Sequence, residues 1–206
     1  DTVVISHGHM DHGGAAETFP AGEWKSQDIC AEDGFEPITE IPFLKVNVGL
    51  DADLKSNPQI VLTEGDYQID EELSLFTVSR RDKCYSGAND ALYNKSGKDD
   101  FLHEQNLLKG KETVLITGCG HTGIVNIMEK AAAFSPQVCI GGFHLFNPLT
   151  KKTEPVSLLN NIAQELQKYD GIRFYTCHCT GSEAYQFLVR QLPDVGYLSC
   201  GKSIDI

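Results

Sequence analysis

Three histidines and an aspartate lie close together near the start of the chain, at His7, His9, Asp11 and His12. They follow an apolar segment, residues 2–5, whose β-branched side chains are typical of a strand. A loop leaving the end of a strand can turn such side chains toward one small volume. Neutral imidazoles and a carboxylate are ligands that Zn²⁺ and related divalent ions prefer. We therefore predict a metal site here rather than a histidine-rich surface loop.

Three later histidines also lie just beyond segments that the sequence predicts to be strands. Side chains at the ends of strands, on the loops that leave them, are a usual place for chemistry. Packing alone does not explain why so many separate strand ends present a histidine. The histidines and their preceding strands are His121 after residues 113–117, His144 after residues 138–140 and His178 after residues 173–176.

Strands dominate the first half of the chain, and strand–turn–helix units follow in the second half. This order favours a mixed α/β sandwich in which helices cover the outer faces of the sheet. We predict one domain over residues 1–206. Further strands are predicted at 3–6, 59–64, 73–79, 101–108 and 195–198, and helices at 15–19, 124–134, from Pro155 to 169 and 181–192.

Composition narrows the partners of this domain. The formal net charge is −12 and no Lys/Arg block is present, so a nucleic acid is not expected to bind. No apolar run approaches the roughly 18 residues of a membrane span. The seven cysteines are odd in number and unevenly spaced, which favours reduced thiols and a cytoplasmic location over a secreted disulfide framework. A small molecule is the expected partner.

The motifs as a set resemble the metallo-β-lactamase superfamily. The first is His7-x-His9-x-Asp11-His12, followed by the distant His121 and His178. The surrounding sequences TGCGHTGI, GGFHL and TCHCTG narrow the resemblance to one branch. That branch is the metal-dependent hydrolases of "β-lactamase superfamily II", which are similar to dihydropterin ribofuranosyl-aminobenzene phosphate synthase.

The resemblance implies an αββα sandwich with its metal pocket at one edge of two facing sheets. By position, His7, His9 and His121 would bind a first metal, and Asp11, His12 and His178 a second. One or two Zn²⁺ ions are expected, with Mn²⁺ or Fe²⁺ as alternatives. A metal-bound hydroxide would attack a small, phosphorylated or pterin-like substrate. Asp11 or His144 would manage the proton.

The chain departs from the superfamily pattern in two places. Most two-metal members have a bridging aspartate after the strand that corresponds to residues 138–140, whereas this chain has Gly141-Gly142-Phe143-His144. His144 is the natural substitute, as a metal ligand or a contact to the substrate. The β-rich segment that normally precedes the first motif is also missing. We therefore expect the N-terminal strands to be lacking here, and an exposed sheet edge to be covered by a preceding segment or by a second subunit.

Several alternatives stay open at this point. The chain could be a di-iron redox member of the superfamily, although such members usually have a glutamate in place of His9. It could also be a non-catalytic metal-binding or sensing module. Cys177 and Cys179 flank His178 and could act as thiolate ligands. His103 and Glu104 lie on a predicted strand, which favours ordinary strand packing for both. The polar segment 80–100 is either disordered or a functional loop over a site.

Overall fold

The computed structural model describes residues 3–14, 29–32, 38–41, 44–94, 97–110 and 113–206. Within these ranges the α-helices are short, and the longest has 11 residues. None of the described helices combines the length and apolar character needed to cross a bilayer. The helices are α1 (Met10–Gly13), α2 (Ile124–Ala131), α3 (Val156–Leu166) and α4 (Ser182–Gln191).

The strands of the described ranges fall into four sheets. In chain order they are β1 (Val3–Val4), β2 (Ile29–Glu32), β3 (Ile38–Ile41), β4 (Leu44–Asn47), β5 (Ile60–Thr63), β6 (Tyr67–Gln68), β7 (Leu73–Thr77), β8 (Leu92–Asn94), β9 (Gly97–Lys98), β10 (Gln105–Lys109), β11 (Val114–Ile116), β12 (Val138–Gly141), β13 (Phe146–Asn147), β14 (Lys152–Thr153), β15 (Arg173–Thr176) and β16 (Val195–Tyr197).

The largest sheet is mixed and has the order β16-β15-β12-β11-β10-β7-β6. Strands β11, β12, β15 and β16 are parallel neighbours, whereas β10 pairs antiparallel with β11 and β7. The carboxyl ends of β11, β12 and β15 therefore lie at one edge of the sheet. The segments that leave these three strands bring the three later histidines to that edge.

One face of the large sheet is covered by helices. The apolar sides of α2, α3 and α4 share a buried core with the sheet, as Ile127, Ile162 and Leu188 illustrate, each at most 1% exposed. Apolar residues recur at helical spacing in these segments, which is why their sequence predicts helices. This core makes the platform under the later histidines rigid.

A smaller parallel sheet, in the order β1-β2-β5, holds the first motif. Its link to the large sheet is polar and runs through the buried Gln105, the first residue of β10. The Gln105 backbone N–H donates to the Ser6 carbonyl at 2.7 Å. The Thr63 hydroxyl donates to the Gln105 side-chain oxygen at 2.6 Å. These bonds hold the segment that carries His7 against the large sheet.

Most predicted elements of the second half are present, with shifted ends. The strand predicted over 101–108 begins only at Gln105, because Phe101 has a left-handed backbone (φ 54°) and the residues between them turn. The described residues of the segment 80–100, which are 80–94 and 97–100, include a 3₁₀ helix, Gly87–Ala91, and two short strands, so they have regular structure. The helix predicted over 15–19 lies outside the described residues.

Candidate metal centre

Three buried imidazoles form the inner part of the site. His7, His9 and His121, called here the first histidine group, are 1%, 7% and 2% exposed. Each offers one ligand atom, and these atoms all lie within 4.8 Å of one another. Nε2 of each ring has no hydrogen-bond partner in the described part of the chain. Buried polar atoms are normally satisfied, so three unpartnered nitrogens within one such group indicate that a ligand binds there.

The other nitrogen of two of these rings is held by a neighbour. His7 Nδ1 lies 2.9 Å from Ser6 Oγ, and His121 Nδ1 lies 2.8 Å from Asn89 Oδ1. Asn89 also donates from Nδ2 to the His121 carbonyl at 2.9 Å. Since an amide oxygen can only accept, Nδ1 of His121 carries the proton and Nε2 keeps its lone pair. This arrangement orients an imidazole as a metal ligand.

Burial keeps the first histidine group neutral. It lowers the pKa of His9 to about 3 from an ordinary 6.5, with a further contribution from His103. It also lowers the pKa of His7 and of His121 well below 6.5, and the neighbouring imidazoles add to the shift. Neutral imidazole is the form that binds metal. The group is therefore ready to bind a cation at neutral pH without losing protons.

A fully buried carboxylate positions His121 from behind. Glu104 Oε1 accepts the His121 backbone N–H at 2.7 Å. Glu104 Oε2 accepts the Thr122 backbone N–H and the Thr122 hydroxyl, both at 2.8 Å. Burial raises the pKa of Glu104 although these bonds oppose the shift. The neighbouring His103 is also buried, with Nε2 at 3.2 Å from Asp99 Oδ2. The prediction of ordinary packing for His103-Glu104 missed this supporting role.

The second histidine group comprises Asp11, His12 and His178, and it is more exposed. One ligand atom of each again lies within 4.8 Å of the others. His178 Nε2 lies 3.1 Å from Asp11 Oδ2. This hydrogen bond lowers the pKa of Asp11 to about 2 and raises the pKa of His178 above 6.5. Burial lowers the pKa of His12. A carboxylate with two imidazoles suits a second divalent ion.

The structure places His144 beside a third set of donors. Its ring centroid lies 4.0 Å from that of His121, and neither of its ring nitrogens has a hydrogen-bond partner among the described residues. His144 has a left-handed backbone (φ 47°), a strained conformation that aims its side chain into the site. Its ligand atom groups with the sulfurs of Cys119 and Cys179, together called the sulfur group. Cys177, the other cysteine beside His178, is in none of these groups.

Glycines let the segments of the site approach one another. A side chain at Gly118 would place its Cβ 2.2 Å from Ser6 Oγ and 3.0 Å from His7 Nδ1. A Cβ at Gly142 would lie 2.4 Å from Cys179 Sγ. The separations from Ser6 Oγ and Cys179 Sγ are far inside van der Waals contact. The glycines of TGCGH and GGFH are therefore needed for close approach of the histidine-bearing segments.

A pocket of about 490 Å³ opens over the donor groups. His9, Asp11, His121, His144, His178 and both sulfurs of the sulfur group line its floor. Its remaining wall is mainly apolar, and the described residues lining it include no lysine or arginine. The wall side chains include Met10, Val48, Ala91, Leu92, Phe146 and Leu149.

The segment 80–100 contributes part of this wall, through Ala88, Ala91 and Leu92. It therefore behaves as a loop over the site, one of the two alternatives predicted for it. Its arginines point elsewhere: Arg80 pairs with Asp82, and Arg81 donates to the Asp99 carbonyl at 3.1 Å. Neither of them lines the pocket.

Comparison with known proteins places this geometry in context. No protein-family model matches the chain. An uncharacterized protein of Methanocaldococcus jannaschii is 28% identical over 211 residues, covering 100% of this chain and 78% of the relative. The 7,8-dihydropterin-6-methyl-4-(β-D-ribofuranosyl)-aminobenzene-5′-phosphate synthase of the same organism is 24% identical over 227 residues, covering 99% of this chain and 74% of the synthase.

Solved structures with a similar fold include metal-dependent hydrolases. A metal-dependent hydrolase of the β-lactamase superfamily matches with a TM-score of 0.78 and 26% identity, over 99% of this chain and 78% of that one. Isothiocyanate hydrolase from Delia radicum gut bacteria matches with a TM-score of 0.58 and 14% identity, over 100% and 76%. A possible metal-dependent hydrolase from Veillonella parvula matches with a TM-score of 0.60 and 13% identity, over 100% of this chain and 76% of that one. The chain has the metallo-β-lactamase fold, and the resemblance to metal-dependent hydrolases of the β-lactamase superfamily that its motifs predicted is confirmed.

Proposed function

We propose that this chain is a hydrolase that binds one or two divalent metal ions, Zn²⁺ first among them, and cleaves a small substrate in the pocket above them. The observation that carries the proposal is the first histidine group, whose ligand atoms lie within 4.8 Å of one another and whose buried Nε2 atoms have no partner among the described residues. Burying three imidazole nitrogens in this way costs free energy unless a cation satisfies them. The donor set therefore fits a metal ion.

Bound divalent ions supply an activated water and polarise the bond to be cleaved. The chain's own residues then have separate tasks. The first histidine group holds a cation in a fixed position, supported by Glu104 and Asn89. In the second group, Asp11 is ionised at neutral pH, and its hydrogen bond to His178 keeps it ionised to lower pH by lowering its pKa to about 2. His144 lines the pocket with unpartnered ring nitrogens, so it is the group placed to pass a proton to the leaving atom.

The pocket wall favours a substrate with an uncharged apolar or aromatic body. An apolar cavity of about 490 Å³ is within the usual size range of small-molecule sites. A flat ring of the kind named in the synthase relative would fit such a wall. A phosphate group would find no lysine or arginine among the described lining residues, so only histidines and the metal ions would be there to hold it. We therefore favour a pterin-like substrate over a phosphorylated one.

Metal-dependent turnover is the direct test. Metal-free protein would be loaded with Zn²⁺, Mn²⁺ or Fe²⁺ and assayed on phosphodiester, phosphomonoester, thioester and lactam substrates, with and without a chelator. We expect hydrolysis that is lost with the chelator and restored by Zn²⁺, and faster with uncharged than with phosphorylated substrates. No turnover of any substrate by fully loaded protein would favour the non-catalytic module instead. Iron in the protein as purified, together with redox activity, would favour the di-iron alternative.

The apolar wall can be tested separately. Leu149 lines the pocket and is 47% exposed, so Leu149→Ala removes wall area without opening the core. Losing this contact should raise KM for an apolar substrate by about threefold to tenfold and leave kcat nearly unchanged. Leu62→Ala is the matched control, because Leu62 is similarly exposed (44%) and does not line the pocket. Equal kinetics for the two variants would contradict the proposed wall.

A further inference from the structure

We propose that Cys119 is a metal ligand shared by the two histidine groups, so that the centre has a sulfur side as well as a nitrogen side. The proposal deepens the proposed function, because it concerns the same metal centre. It assigns a role to a residue that the sequence analysis passed over. Cys119 lies within the turn that leads from β11 to His121 and is 3% exposed.

The position of the sulfur is the first argument. Cys119 Sγ lies 3.1 Å from His12 Nε2, in the second histidine group. Cys119, His12 and His7 form a set whose ligand atoms all lie within 4.8 Å of one another. His7 belongs to the first histidine group. One sulfur atom is thus within reach of a donor from each group, which is the position that a ligand common to two ions needs.

The second argument concerns the neighbours of the cysteine. His144 belongs to the same sulfur group as Cys119, and both of its ring nitrogens are buried without a hydrogen-bond partner among the described residues. The Nε2 atoms of His7, His9 and His121 are orphaned in the same volume. Cys119 therefore shares its two ligand groups with His7 and His144, both of which have unpartnered buried ring nitrogens among the described residues. An inert buried thiol would instead be packed among apolar atoms, as Cys139 is in the core of the large sheet.

The turn that holds Cys119 allows little other placement of the sulfur. A Cβ at Gly118 would lie 2.2 Å from Ser6 Oγ, and a Cβ at Gly120 would lie 2.6 Å from the Gly142 carbonyl oxygen. Gly120 also has a left-handed backbone, with φ of 70°. Two glycines thus press the Cys119 backbone between the segment of the first motif and the segment of His144. Its sulfur is held between the donor groups by this packing.

Metal binding at Cys119 would exchange the thiol proton for a metal ion. Thiolate, not thiol, binds metal, so binding forms a sulfur–metal bond and releases the Cys119 proton to solvent. Thiolate ligands select Zn²⁺ and other softer ions over Mg²⁺, Ca²⁺ and Mn²⁺. The shared sulfur therefore predicts that Zn²⁺ or Co²⁺ fills both positions more readily than Mn²⁺ does.

Cobalt substitution tests this directly, with the reduced full chain. Cobalt bound through sulfur gives a near-ultraviolet charge-transfer band that nitrogen and oxygen ligands do not give. We expect this band in the wild type and its loss in Cys119→Ser, whose second equivalent of metal should bind at least about tenfold more weakly. Cys119→Asp should bind the second equivalent again, still without the band. Cys200→Ser, in an exposed cysteine, is the matched control and should keep the band.

The outcomes separate this proposal from the proposed function. Two bound metals with no sulfur band in the wild type would overturn the role of Cys119 and leave the hydrolase proposal intact. A band that survives in Cys119→Ser and disappears in Cys179→Ser would assign the sulfur ligand to Cys179 and overturn the proposal as well. No metal binding by folded wild type would overturn both. Melting curves of the metal-free variants would show that each substitution leaves the fold intact.

Discussion

The two histidine groups come largely from one short stretch of sequence, yet their surroundings differ. His7 and His9 are 1% and 7% exposed and meet His121 in the interior. The Asp11 and His178 side chains, in the second group, are 52% and 47% exposed and pair with each other. The Nε2 atoms of the inner donors are unpartnered among the described residues, whereas Asp11 and His178 of the outer group are hydrogen-bonded to each other. Burial thus makes one group a fixed, preorganised site and leaves the other open to solvent and substrate.

The difference begins at the short helix α1. His9 is held in an extended conformation by a bridge to Gly49, while Met10, Asp11 and His12 wind into one helical turn. Leu50 packs against Gly13 at the end of that turn, where a Cβ would lie only 2.8 Å from a leucine methyl group. His7 and His9 are therefore buried, and the turn carries Asp11 and His12 to more exposed positions.

Removing one ligand from each group should have unequal results. His121→Ala should abolish binding at the first group and lower kcat/KM by more than about a hundredfold, because a buried ligand and its support are lost. His178→Ala should remove only the second metal and leave one equivalent bound. Metal analysis beside steady-state kinetics would measure both. Equal loss of metal in the two variants would contradict the distinction between the groups.

The support behind the inner group can be tested without touching a ligand. Glu104→Gln keeps the side-chain shape, but its amide nitrogen cannot accept the hydrogen bonds from Thr122. We expect metal affinity to fall about tenfold to a hundredfold and the free energy of unfolding to fall by about 1–3 kcal/mol. Titration with a competing chelator and denaturant unfolding would measure these changes. Glu64→Gln changes an exposed carboxylate and is the control. A similar loss of metal affinity and stability in that variant would contradict the supporting role of Glu104.

Lowering the pH should empty the outer group first. The raised pKa of His178 means that protons compete with metal there from near neutral pH downward. At the first group the pKa of His9 is about 3, so its nitrogen stays free of protons to far lower pH. Between pH 8 and pH 5 we expect the affinity for the second equivalent of metal to fall by up to about tenfold per pH unit. The affinity for the first equivalent should change much less. Metal occupancy followed across that range would measure it, and simultaneous release of both equivalents would contradict the comparison.

The smallest effect concerns the metal-free protein. The lowered pKa of Asp11 adds stability above its unfolded value of 3.8, and this is lost as the pH falls through about 2. The raised pKa of His178 adds stability below 6.5 that is lost as the pH rises through its folded value. The pair should therefore contribute most between about pH 4 and 6.5, by less than about 1 kcal/mol because both groups are half exposed. His178→Gln should lower the melting temperature more at pH 5.5 than at pH 8.5, and a pH-independent change would show that the pair does not titrate as described.

Short-range sequence patterns were sufficient to predict the strands and helices that support this site. Apolar, β-branched runs predicted β11, β12 and β15, and helical spacing predicted α2, α3 and α4. The histidines just beyond those strands could be recognised because loops that leave the ends of strands are a usual place for chemistry. The His-x-His-x-Asp-His spacing then indicated metal, since few other functions need that set of donors so close together.

Residues that act only through distant contacts were missed. Glu104 looked like an ordinary strand residue, because its partners at His121 and Thr122 are separated from it by more than a dozen positions. Asn89 lies in a polar segment that has no periodic pattern. Cys119 was read as one thiol among seven. The feature that indicates the role of Glu104 is the burial of its carboxylate. That burial could not be predicted from the sequence alone.

By itself the sequence determined the identity of the candidate donors, the strands and helices beneath them, and the acidic net charge without a Lys/Arg block that argues against nucleic acid. The tertiary structure alone decided which donors share a volume, which are buried, and that Cys119 lies between the two histidine groups. The physical reason is that residue type and periodicity act over a few neighbours. Distances between β1, β11, β12 and β15, in contrast, depend on strand order, register and the close approach that glycines such as Gly118 permit.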